Sequence, residues 1–244
     1  MGRAPVIAAV LALLLVQAGP AAAQDLTLTL GGGGSLGGQS MLLIGLITVL
    51  SLAPGLAVMV TCFPFIVTVL SILRQAIGLQ QSPPNMLIVS LALFLTWFIM
   101  EPVFLASWAE GVQPYAAGTL DLPEAFARAV APFRTFMAAR TDAGTFTSLA
   151  ALRPETATLA QDPAAPLSLL VPSFMLSEVA RAFEIGFLIF LPFLIIDLVV
   201  SAVLMSMGMM MVPPAIVALP FKLAFFVVAD GWTLISGALV RSYF

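Results

Sequence analysis

Residues 205–211 read "MSMGMMM", five methionines in seven positions, and Pro213 and Pro214 follow at once. Three kinds of chemistry suit such a run. Thioether sulfur is a soft ligand for copper(I). Methionine is also unbranched and polarizable, so it fills irregular gaps between helices. A ring of such side chains drawn from several chains would instead close an aqueous path by dewetting. From composition alone, filling a helix–helix contact is the plainest of the three. Copper transport has no support from histidine, which is absent, or from a second cysteine, since Cys62 stands alone.

The charged residues inside apolar sequence form the second candidate group. Glu178, Arg181, Asp197, Lys222 and Asp230 all interrupt or border apolar runs, and Arg74 sits beside an apparent turn. A charge at the centre of a membrane helix costs about 2.5–3.5 kcal/mol on insertion scales. Ion pairing and proton relay are the two uses that offset this cost, pairing being the simpler. Counted from the midpoint of Pro213 and Pro214, Asp197 and Asp230 are equally far up two arms, where like charges repel. Lys222 is eight residues from Asp230, roughly 12 Å along a helix, and so is poorly placed to neutralise either aspartate within one hairpin. Partners are therefore expected from neighbouring chains or from an aqueous lumen.

Composition sets the class. Of 244 residues, 61% are hydrophobic and 9% charged, against roughly 25% charged in soluble domains. The net charge of −3 is too small to steer partners, and no basic tract suggests nucleic acid. Without histidine, a multi-cysteine cluster or a phosphate-binding loop, enzyme chemistry has little to work with. No catalytic residue, cofactor or metal is expected.

These residues must be held by a few long elements. Residues 1–23 have the form of a signal sequence: Arg3, an apolar run of eleven residues, then three alanines, with cleavage expected between Ala23 and Gln24. A glycine-rich tether follows in residues 24–40. Four apolar blocks at 41–73, 85–108, 183–212 and 221–240 are each long enough for a helix crossing a core of about 30 Å. Residues 109–171 differ, holding ten of the 21 charged residues. Within them, 123–140 repeats Phe126, Val130, Phe133 and Met137 at helical spacing, with Glu124 and Arg128 as an i,i+4 pair. This is expected to be a surface helix over a small core, kinked at Pro132.

An internal echo ties the blocks together. "GLQQSPPN" from Gly78 and "GMMMVPPA" from Gly208 share a glycine, four residues and two prolines. A left-handed glycine cap followed by helix-opening proline is a helix–turn–helix tip. Gly78, Gln80, Gln81, Pro83 and Pro84 form one tip, and Gly208, Pro213 and Pro214 the other. The expected fold is all-α and membrane-associated: two kinked helical hairpins, residues 41–108 and 172–244, with a small helical periplasmic insertion at 109–171. With an external N-terminus both tips are internal, and their Arg74 and Lys222 agree weakly with the positive-inside tendency.

The stretches "LAPGLAVMVTCFPFIVTVLSILRQAIGLQQSPPN", "LALFLTWFIMEPV", "PFRTFM" and the run from Pro172 to "VVADGW" resemble the FliP/SctR family, core membrane components of flagellar and type III secretion export gates, its flagellar branch more closely. The resemblance implies a multi-pass protein of the bacterial inner membrane, in the flagellar basal body. Several copies would form a ring with two smaller membrane proteins, FliQ-like and FliR-like, passing unfolded flagellar subunits and drawing energy from partner ATPase components and the proton-motive force. It also implies a methionine gasket at Met209, Met210 and Met211, and hairpins stacked as a cone partly above the bilayer. Gln80 and Gln81 would then lie near the pore mouth, touching substrate or a partner. After "PFRTFMAAR" the chain is poorer in charge than the family pattern, so contacts of the external region do not carry over. A small-solute or metal ion transporter using the buried charges is the alternative from another class.

Overall fold

The computed structural model describes residues 36–78, 83–209 and 211–244. Among them the regular structure is entirely helical, in order α1 (Leu36–Met59), α2 (Phe63–Ile77), α3 (Asn85–Ser107), a π turn (Trp108–Val112), α4 (Gln113–Ala116), α5 (Leu122–Arg140), α6 (Ala143–Ala150), α7 (Leu167–Ser206), α8 (Pro214–Val228) and α9 (Gly231–Arg241). The chain divides into two units, 1–48 and 49–244. In the first, Leu43, Ile44, Leu46 and Ile47 are exposed; the packing below concerns the second. The signal sequence, its Ala23–Gln24 junction and most of the tether lie outside the described residues. The tether's last five residues do not: helix α1 begins at Leu36 and takes in Gly37 and Gly38.

The apolar blocks are less regular than four uninterrupted helices. The first breaks at residues 60–62, between α1 and α2, where Cys62 precedes Phe63 and Pro64 at the opening positions of α2. Proline is tolerated there because its missing N–H would be unpaired anyway. The fourth breaks at Ala229 and Asp230, and the two halves meet at 60°. Among the described residues, two helical segments are long and apolar enough to cross a membrane, Asn85–Ala116 and Leu167–Ser206, with a third if the bent pair α8–α9 counts as one span. Helix α7 has 40 residues, about 60 Å at 1.5 Å per residue, twice a hydrocarbon core of about 30 Å. It is longer than a single crossing requires, and it begins before the boundary expected at 171.

The core is built around α2. Phe65, Ile66, Val69, Leu70, Leu73, Ala76 and Ile77 are all buried, packed chiefly against α7 and then α3. Ile88, Ala92, Ile99 and Met100 of α3, Ala182 and Phe193 of α7, Phe226 of α8 and Ile235 and Leu239 of α9 complete it. At Gly186 of α7 there is no room for a side chain: an added Cβ would overlap Ile72. Ile72 Cδ1 can swing aside, but its Cβ and Cγ2, 3.2 and 3.1 Å from the added carbon, are fixed by the stiff χ1 of a β-branched residue on a helix. Gly186→Ala therefore loses stability despite alanine's better helix propensity of about 1 kcal/mol. The expected net loss is about 1–2 kcal/mol, read as a lower unfolding midpoint in detergent and partly restored by adding Ile72→Val.

Residues 109–171 have the small core expected of them, shared with the start of α7. Met137, Ala138, Phe146, Ala150, Leu169, Leu170 and Phe174 bury one another between α5, α6 and the start of α7. Asp121 and Asp142 cap α5 and α6, accepting from the backbone N–H of Glu124 and Thr145. The connection to α7 is tied down by Gln161, whose amide donates to the carbonyls of Ala138 and Thr141, and by Arg134, which donates to those of Pro163 and Ala165. Helix α5 runs through Pro132. Its apolar stripe is graded, from buried Met137 to exposed Phe126. All four stripe residues line an open apolar groove of about 750 Å³ shared with Val58, Trp97 and Phe104.

Candidate functional site

Both tips begin as their glycines require. Gly78 has φ 87° and Gly208 φ 75°, the left-handed region where a Cβ is costly. At Gly208 the closure is a complete Schellman motif: Met209 N–H donates to Leu204 C=O at 3.0 Å and Gly208 N–H to Met205 C=O at 3.1 Å. At Gly78 the corresponding bond runs to Gln75 C=O, also 3.0 Å. The prolines differ by one position. Pro84 caps α3, which starts at Asn85, whereas Pro213 caps α8 and Pro214 is its first residue.

Residues 79–82, and so Gln80 and Gln81, lie outside the described residues, as does Met210. Arg74 spans the first tip from behind: its guanidinium donates to the side chain of Asn85, tying the last turn of α2 to the first of α3. At the second tip Met209 and Met211 lie outside the helices, and Met205 and Met207 occupy its approach. All four are exposed, Met211 to 97%, so little of its surface is covered by the described residues.

Lys222 corrects two expectations. It is neither on the tip nor short of a partner within its own hairpin. It lies inside α8, buried, with Nζ 2.6 Å from Asp197 Oδ2 and donating to Ala76 C=O at 3.1 Å. Counting from the prolines misplaced the turn. Asp197 lies nine residues before the end of α7 at Ser206, and Lys222 eight after the start of α8 at Pro214. Measured from the helix ends, the two stand at one height. The Ala76 carbonyl belongs to the last turn of α2, which has no intrahelical donor and carries negative helix-dipole charge. One ammonium thus joins three helices beside the tip of the other hairpin, with Leu219 and Lys222 approaching Gly78. The other carboxylate oxygen of Asp197 is buried with no hydrogen-bond partner among the described residues.

Asp230 also departs from expectation. It faces no charge at the level of Asp197; it is exposed at the break between α8 and α9, with φ 47°. Aspartate enters this backbone region more readily than bulkier residues, which lets the chain turn there.

Glu178 is the most buried charge, fully inaccessible. Arg181, one turn on, approaches at 3.8 Å, but the better partners were not anticipated. Arg140 Nε donates to Oε1 at 3.2 Å, and the Tyr243 hydroxyl donates to Oε2. Sequence offers no local sign of this cluster, since the partners are 38 and 65 residues from Glu178. Arg140 was visible only as the basic end of an amphipathic helix.

Helix α7 thus carries a polar clamp at each of two levels, at Glu178 and at Asp197, with an exposed methionine elbow beyond both. The model of the FliP family matches residues 46–239. The chain belongs to the FliP family. Among its relatives is the flagellar biosynthetic protein FliP of Caulobacter vibrioides, 49% identical over 99% of this chain and 91% of that protein. Those of Agrobacterium fabrum, 47% identical over 86% of each chain, and Bacillus subtilis, 46% identical over 82% of this chain and 90% of that one, bear the same name. The residues matched by the family model take in both tips, the Lys222–Asp197 pair and Arg140 with Glu178, while Tyr243 lies just beyond them.

Proposed function

We propose that this family member is a pore-forming structural subunit of a flagellar protein export gate. Several copies, with two smaller FliQ-like and FliR-like membrane proteins, surround a passage for unfolded flagellar subunits across the inner membrane. The chain hydrolyses nothing; it shapes and closes the path. The observation that carries this reading is the second tip. Its helix ends in a tight Schellman cap at Gly208, and beyond it Met209 is part-exposed and Met211 almost wholly so. Thioether side chains exposed at one elbow per copy suit a deformable apolar constriction, which stays dry when empty and yields to a passing polypeptide. Clamping by Lys222 keeps the elbow at a set height relative to Gly78, so copies present it alike.

Extraction from membranes in mild detergent tests the assembly. The expected product is a large ring holding several copies of this chain together with two small membrane proteins. A chain that purifies alone and by itself moves a small solute or metal ion into vesicles would overturn the reading in favour of a transporter.

A further inference from the structure

The cluster around Glu178 joins parts of the chain that no local interaction would bring together. Tyr243 follows α9, yet its ring lies edge-on to Phe65 of α2 at 5.6 Å and stacks on Phe136 of α5 at 6.1 Å. The Arg140 guanidinium lies over the same ring, 4.0 Å from its centre. That guanidinium serves two acceptors, Glu178 through Nε and the backbone carbonyl of Ser242 through Nη1 at 2.8 Å. Both oxygens of Glu178 are therefore answered, one by arginine and one by the tyrosine hydroxyl. Burial, reinforced by the neighbouring carboxylate, pushes the Tyr243 hydroxyl up in pKa, so it remains a donor at any physiological pH.

We propose that Arg140, Glu178 and Tyr243 form a lock that fastens the end of α5 and the segment after α9 to the outer half of α7. Solvating Glu178 is what holds the lock shut, because a buried carboxylate short of a donor is costly. The fork of Arg140 is needed because a lysine presents a point charge and cannot reach both acceptors in one plane. The lock holds α7 thirty residues before Gly208, with Pro192 between, so it secures the external end of the arm independently of the tip. The inference does not rest on the export reading.

Hydrogen–deuterium exchange on the full chain in mild detergent tests it. Tyr243→Phe keeps the ring and removes only the hydroxyl. The amides of residues 134–141 and 235–244 are expected to exchange at least about tenfold faster, the signature of a lost local clamp, while residues 198–222 stay as in the parent. Arg140→Lys should do the same, and Arg128→Ala, on the exposed side of α5, should change nothing. Unchanged exchange in both segments of Tyr243→Phe would overturn the proposal, as would acceleration spread over the whole chain. Glu178→Gln with Tyr243→Phe provides a second check: the double variant should exchange no faster than Glu178→Gln alone, and additive acceleration counts against the lock.

Discussion

Lys222→Met should leave a protein that enters the membrane but unfolds far more readily and fails to assemble. Methionine matches the volume of the lysine stem, so packing against α2 and α7 is kept and only the charge goes. Two acceptors then lose their donor at once, Asp197 Oδ2 and the Ala76 carbonyl. Breaking a buried pair by removing one partner typically costs about 3–5 kcal/mol. The Asp197 side chain is one-third exposed, which places the expected loss near the lower figure. Thermal unfolding in detergent reads the loss directly, and sedimentation or native electrophoresis reads assembly. The exchanged pair, Asp197→Lys with Lys222→Asp, should recover only part, because a carboxylate at position 222 faces the negative end of α2. A single variant as stable as the parent that assembles but does not export would shift these residues from pairing to transport.

The second large effect concerns conduction. Replacing Met209, Met210 and Met211 together by alanine should raise the ion leak of membranes holding the assembled gate severalfold, with the amount of assembled gate little changed. Stability is spared because Met209 and Met211 are exposed in the chain, so truncating them opens no internal cavity of the kind that destabilises cores. The leak rises because alanine removes the bulk that keeps a constriction dry. Membrane conductance with equal amounts of parent and variant gate decides it. Equal conductance would remove the seal from the proposed function while leaving the assembly intact.

The two experiments separate the roles of the second hairpin. In the proposed function, Lys222 sets where the elbow stands and the methionines set what it does there. A variant at one position should therefore not mimic a variant at the other, and combining them should add little to the lost assembly already caused by Lys222→Met.

Much of the architecture followed from the order of residues alone. The dearth of charge required a membrane-associated, helical chain, since backbone groups in lipid must be satisfied within the segment. Glycine followed by paired prolines placed both tips, because those residues act through their own backbone angles. The spacing of Phe126, Val130, Phe133 and Met137 identified α5. Tertiary packing decided the rest. It broke the first and last apolar blocks, made α2 the centre of the core, and brought Arg140 and Tyr243 to Glu178. It also paired Lys222 with Asp197 inside one hairpin, where counting along the chain had placed them poorly. Local conformation depends on neighbours a few residues away and can be read from them. Partnership of charges depends on where helices end and how closely they pack, and a linear distance through a non-helical elbow measures neither.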